Sequence, residues 1–122
     1  LVIYFPFAPN GANEELKTMD EIFFFDKRLG ISIPVFKKEW DQYSKDIQQN
    51  ILFHWEKIRG TIPDRIKELE NIINEKQSLL SIESDFAVSC RLNTEIAEHA
   101  STINELWLWF RVNQSVSGKM HT

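Results

Sequence analysis

Three histidines, eighteen carboxylates and a single thiol are the groups in this chain best suited to chemistry. His54 and His99 each fall on the apolar stripe of a helical segment, and the third histidine, His121, lies in the polar C-terminal tail. If the two helices pack side by side, the two imidazoles could meet, with Glu95 one turn before His99 and Glu56 two residues after His54. Helical bundles build metal sites from inward carboxylates and histidines, but the di-iron pattern needs Glu-x-x-His at i, i+3 from two helices. Glu95 and His99 stand at i, i+4, with no second copy, and Glu95 belongs to a polar face. No metal or cofactor is therefore expected. His54 and His99 remain the weak candidates for one, and the simpler expectation for each is a core or boundary histidine satisfied by one hydrogen bond.

Other chemistries leave no trace. There is no Gly-x-Ser-x-Gly nucleophile turn and no Gly-x-x-x-x-Gly-Lys or Gly-x-Gly-x-x-Gly phosphate loop. Four glycines in 122 residues leave little material for one. The charged run Asp64, Arg65, Lys67, Glu68 and Glu70 reads as a solvated helix face. Cys90 cannot form an internal disulfide, being the only cysteine. It reads as a small packing residue in a reducing compartment. The chain is expected not to be an enzyme.

Charge and hydropathy narrow the partners. The formal charge is −4, and a phosphate-binding surface would need the opposite sign. A regulator with a DNA-binding N-terminal half and a helical dimer arm is conceivable in outline, but the acidic balance weighs against it. No apolar run reaches the roughly 18 residues of a membrane span. Leu1-Val2-Ile3-Tyr4-Phe5 is apolar but lacks a basic flank and is broken by Pro6 and Pro9, unlike a secretion signal. Cytoplasmic placement is the default expectation. The sequence does not begin with methionine.

The elements that would position these residues are mostly helices. Residues 1–12 read as an extended tail, with Pro6, Pro9 and the turn pair Asn10-Gly11. Residues 13–29 are ambiguous. Glu14 to Lys17 favour helix, while Ile22-Phe23-Phe24-Phe25 suits a buried strand as well. Gly30 could cap a helix after Lys27-Arg28-Leu29, and Pro34 makes 31–33 extended.

From Val35 a helical period emerges. Trp40, Tyr43, Ile47, Ile51 and Ile58 share a stripe about 80° wide, with a plausible break at Ser44, a good N-cap. Gly60 ends the segment. Thr61-Ile62-Pro63-Asp64 then resembles a capping box, with Thr61 as cap. The stripe of Ile62, Ile66, Leu69, Ile73 and Leu80 follows, widened by Ile72 and Leu79 to about 140°. Lys76 interrupts it, which argues against a strict coiled coil.

Ser81 to Asp85 reads as a turn, with Ser84 the cap of a last helix running to about Val112. That helix has Val88, Leu92, Ile96, His99, Ile103, Leu106 and Phe110 on its core side. Arg91, Glu95, Glu98, Thr102 and Glu105 form its polar side. Two long helices joined by a short turn lie antiparallel. The expected fold is mainly α: a long antiparallel helical hairpin packed with a third helix. An irregular or partly extended N-terminal segment (1–33) precedes the helical bundle domain (34–114), and a tail (115–122) follows it.

Leu106-Trp107-Leu108-Trp109-Phe110 exceeds what such a hairpin can cover. Five consecutive large apolar residues occupy nearly every direction around a helix, and Leu108 lies almost opposite the core. Burial of one large apolar side chain is worth about 1.5–3 kcal/mol. Exposing neighbours of this kind marks a contact surface. The cover could come from the Phe-rich N-terminal segment (Phe23–Phe25) with the 35–59 helix, which would make the run plain core, from a second copy or from a different protein. The sequence thus points to protein–protein association through Leu108, Trp109 and Trp107, and through the wide face at Ile72 and Leu79. Partners would be a second copy in a homo-oligomer, or another protein. The alternative is a helical metal or small-ligand binder using His54 and His99.

Overall fold

A computed structural model of the chain describes residues 18–120, with side chains placed through 112. It is mainly α: a long antiparallel hairpin packed with a third helix, preceded by a partly extended segment. The tail expected at residues 1–12 lies outside the described residues.

A helical turn at 18–22 leads into strand β1 (Phe23–Asp26), which pairs antiparallel with β2 (Ile31–Pro34). Residues 13–17 of the ambiguous segment, with the helix-favouring Glu14 to Lys17, also lie outside the described residues; residues 18–22 are helical, and the strand begins at Phe23. Gly30 does not cap a helix. It closes the β-hairpin at φ 77, with its N–H donating to Asp26 O at 2.7 Å. The Asp26 side chain also accepts from the N–H of Leu29, forming a turn typical of Asp. A Cβ on Gly30 would collide with the Arg65 side chain, whose Cδ lies 2.8 Å from that position. Arg65 packs so closely because its guanidinium donates to the carbonyls of Leu29 and Arg28, at 3.0 and 3.1 Å.

The helical period expected from Val35 starts later. Residues 35–39 are not helical, and a 3-10 turn (Trp40–Gln42) precedes helix α1 (Lys45–Arg59). Ser44 caps α1, accepting from the N–H of Ile47 at 3.2 Å. Gln48 reaches back to the carbonyls of Trp40 and Tyr43, tying the 3-10 turn to the helix.

Helix α2 (Ile62–Ile82) follows after two residues, and the expected capping box does not form. Thr61 keeps right-handed helical dihedrals (φ −89, ψ −11) and its side chain caps nothing. Its hydroxyl instead donates to Ile58 O at 2.7 Å. An N-cap needs extended backbone, and Gly60 and Thr61 both continue the helical turn of α1.

The next turn falls at 83–85, within the expected stretch, and helix α3 (Phe86–Met120) runs well past Val112. Its cap is Asp85, not Ser84. The Asp85 carboxylate accepts from the N–H groups of Ala87 and Val88.

One core cluster sits where these elements converge. Leu29 and Ile31 of the hairpin, Ile51 and Trp55 of α1, Ile62, Ile66 and Leu69 of α2, and Leu106 of α3 are buried together. Leu29, Ile62 and Leu106 are fully enclosed. Beyond Leu69 the α2–α3 pair extends as an arm two helices thick. Leu92 is the one buried residue there among those described. No described helix is long and apolar enough to cross a membrane.

Candidate functional site

The structure does not bring His54 and His99 into one site. His54, on α1, packs against the ring of Phe23 with centroids 4.5 Å apart. Burial holds its imidazole below the ordinary value of 6.5, the nearby charge of Lys57 pushes the same way, and Asp20 opposes both. His99, on α3, borders an open pocket shared with Lys27, Arg28, Arg65, Glu98 and Thr102. Among the described residues no three His, Cys, Asp or Glu side chains gather to hold a metal ion. A separate apolar cleft beside Phe23, Phe36, Leu52 and Trp55 offers about 20 Å³ of free space. That is room for little more than a water, far below the roughly 300 Å³ of a small-molecule site.

Two residues assigned to the polar side of α3 have other positions. Thr102 is buried, with its hydroxyl donating to Glu98 O at 3.0 Å. Glu95 faces α2 and accepts from Lys76 Nζ at 2.9 Å. That hydrogen bond, first among the influences on it, holds the Glu95 carboxyl below the usual carboxylate range. Lys76, which breaks the apolar stripe of α2, is thus one half of an ion pair between the helices.

The five candidate contact residues separate. Trp109 is partly buried against the core and makes an edge-to-face contact with Trp55 of α1, centroids 5.8 Å apart. It was expected beyond the reach of a two-helix hairpin, and the third helix is what reaches it. Ile72 is likewise partly buried against the core. Trp107, Leu108 and Leu79 stay exposed, at 41, 53 and 54%. Trp107 leans edge-on against Phe110, which carries the Arg59 guanidinium over its ring. Among the described residues the N-terminal phenylalanines do not cover Trp107 or Leu108. Phe23 is core, but Phe24 and Phe25 are themselves exposed.

Sequence reasoning missed the end of the arm. Ile82 and Phe86 flank the α2–α3 turn and are 80 and 82% exposed, the most open of the large apolar residues described. The available signal was their place beside a turn: one follows the stripe of α2 and the other precedes that of α3, so neither stripe claims them.

Comparison with protein-family models, with curated proteins and with solved structures finds no match.

Proposed function

We propose that this chain is a non-enzymatic helical protein that acts by associating with protein, either a second copy or a different partner. The observation that carries this reading is the exposure of Trp107 and Leu108, adjacent bulky residues on a regular helix. Apolar residues standing singly on a surface are ordinary, whereas neighbouring ones mark contact sites. Leu79, Ile82 and Phe86 add a second greasy region at the far end of the arm. Cys90 is exposed and not the packing residue expected of it; a single thiol suits a reducing compartment, and the cytoplasm is the setting this reading assumes.

A photo-crosslinking residue at position 108, 107 or 79, introduced into the full chain in cells, tests this. Discrete protein adducts are expected from those positions, and few from position 98 on the charged side of α3. Adducts no more abundant than those from position 98 would end the proposal.

A further inference from the structure

Helix α3 distributes its charges in an unusual way. Between Phe86 and Leu108 its four charged side chains are Arg91, Glu95, Glu98 and Glu105. At 100° per residue they share a sector about 80° wide. That sector is turned toward basic groups of the same chain. Glu105 pairs with Arg28 of the β-hairpin turn at 2.9 Å and Glu95 with Lys76 of α2 at 2.9 Å. Glu98 borders the pocket that holds Lys27, Arg28 and Arg65.

The opposite side of α3 carries no charge over the same length. Asn93, Ala97, Ala100, Asn104 and Trp107 are exposed there, with Ile96 and Ile103 half-buried beside them. From Asn71 to Ile82, the flank of α2 that joins this face through Ile73 and Asn74 is uncharged as well, since Glu75 and Lys76 lie on its other sides. An open groove between the two helices runs along Ile73 and Ile103. Lys67 and Glu70, at its basal end, are the charges that border it. A solvated helix face ordinarily carries the charged residues of its helix. Here Glu95 and Glu105 are paired within the chain, exposed Arg91 and Glu98 share their sector, and small, amide and apolar residues are left on the opposite side.

We infer that this uncharged face of the arm is a homodimer interface, where two hairpins pack into a four-helix bundle. The inference rests on the association reading and names its partner. The argument for a second copy is electrostatic. A chain of net charge −4 meets its own copy with least repulsion through a face that lacks carboxylates. The charges at its edge are Lys67 and Glu70 beside the groove and exposed Arg111, one turn beyond Trp107 on the same side. A two-fold contact requires a self-complementary patch, and an uncharged surface meets that requirement without matched ions. The alanines allow close approach of the helices, which would cover Ile73, Ile96 and Ile103. With about 1.5 Å rise per residue and ~10 Å width per helix, the face projects to on the order of 500 Å², the larger share of the roughly 800 Å² per partner typical of stable complexes.

The test is sedimentation equilibrium of the full chain over a wide concentration range. Wild type is expected to approach twice its 14.4 kDa. Ala100→Glu places a like charge from each copy in the contact and should raise the dissociation constant at least tenfold. Because Ala100 is exposed, its far-UV circular dichroism and dilute melting curve should match wild type. Thr94→Glu, an exposed position beside the charged sector, should leave the dimer intact. A single-chain mass for wild type at every concentration, or equal effects of the two variants, would overturn the inference. If adducts from position 108 contain a different protein while the purified chain stays single, association survives and the second copy does not. If neither forms, both fall.

Discussion

Trp109 and Leu108 are neighbours of similar hydrophobicity with different surroundings. Trp109 is held edge-on by Trp55 and joins the core cluster, while Leu108 is 53% exposed. Truncation should therefore separate them at low protein concentration, where association contributes least. Trp109→Ala removes partly buried aromatic surface and leaves a gap beside Trp55, a loss of about 3 kcal/mol. Leu108→Ala removes a side chain already in water and should shift stability by less than about 0.5 kcal/mol. Urea unfolding followed by circular dichroism at low protein concentration gives both numbers. Equal losses would mean that Leu108 is core, and the contact surface would shrink to Trp107. The same pair shows how far single residues were legible. The five-residue apolar run correctly announces more grease than two helices can cover. Which residue the third helix shelters depends on how α1 crosses α3, and no periodicity within α3 encodes that crossing.

Helix ends tell a similar story one level up, because a cap is read from residue type but decided by backbone conformation. Ser44 and Asp85 sit on extended backbone or directly before a helix and accept hydrogen bonds from its first N–H groups. Thr61, equally suitable by type, follows a glycine that keeps the helical turn, so its hydroxyl returns to Ile58 O instead. Asp85→Ala should lower stability by about 1 kcal/mol, as loss of a side-chain cap does. Ser84→Ala, one residue earlier, should change it by less than about 0.5 kcal/mol. Chemical unfolding of the two variants decides between the caps, and a larger loss at Ser84 would contradict the observed start of α3. The hairpin, its turn and the stripes of α2 and α3 were readable because long periodic segments repeat their signal many times. The β-hairpin was not, since Phe23-Phe24-Phe25 carries no alternation and Gly30 suits a helix stop and a strand turn equally. The charged side of α3 was visible as a pattern. Its use, in pairing with Arg28 and Lys76, depends on long-range contacts that sequence spacing does not carry.

At the scale of the whole molecule, stability should be distributed unevenly. The core cluster gathers the β-hairpin, α1, the first half of α2 and the Leu106 region of α3, whereas the arm beyond Leu69 relies on two half-covered helices, Leu92 and the Lys76–Glu95 ion pair. Regions with few buried apolar contacts open at lower free energy than the global transition. Native-state hydrogen exchange at low concentration should therefore find the amides of residues 73–80 and 90–96 exchanging through partial opening. Those of Ile66, Leu69 and Leu106 should exchange only on global unfolding. Association adds a second expectation to the same experiment. A species that binds the folded arm but not the opened one stabilises it by mass action. If two arms pack through their uncharged faces, protection at residues 73–80 and 90–96 rises with protein concentration and core amides rise in parallel. Ala100→Glu then removes the concentration dependence and leaves the dilute pattern unchanged. Uniform protection in the dilute single chain would mean that the arm is stable without a partner, and the half-covered isoleucines would no longer argue for one.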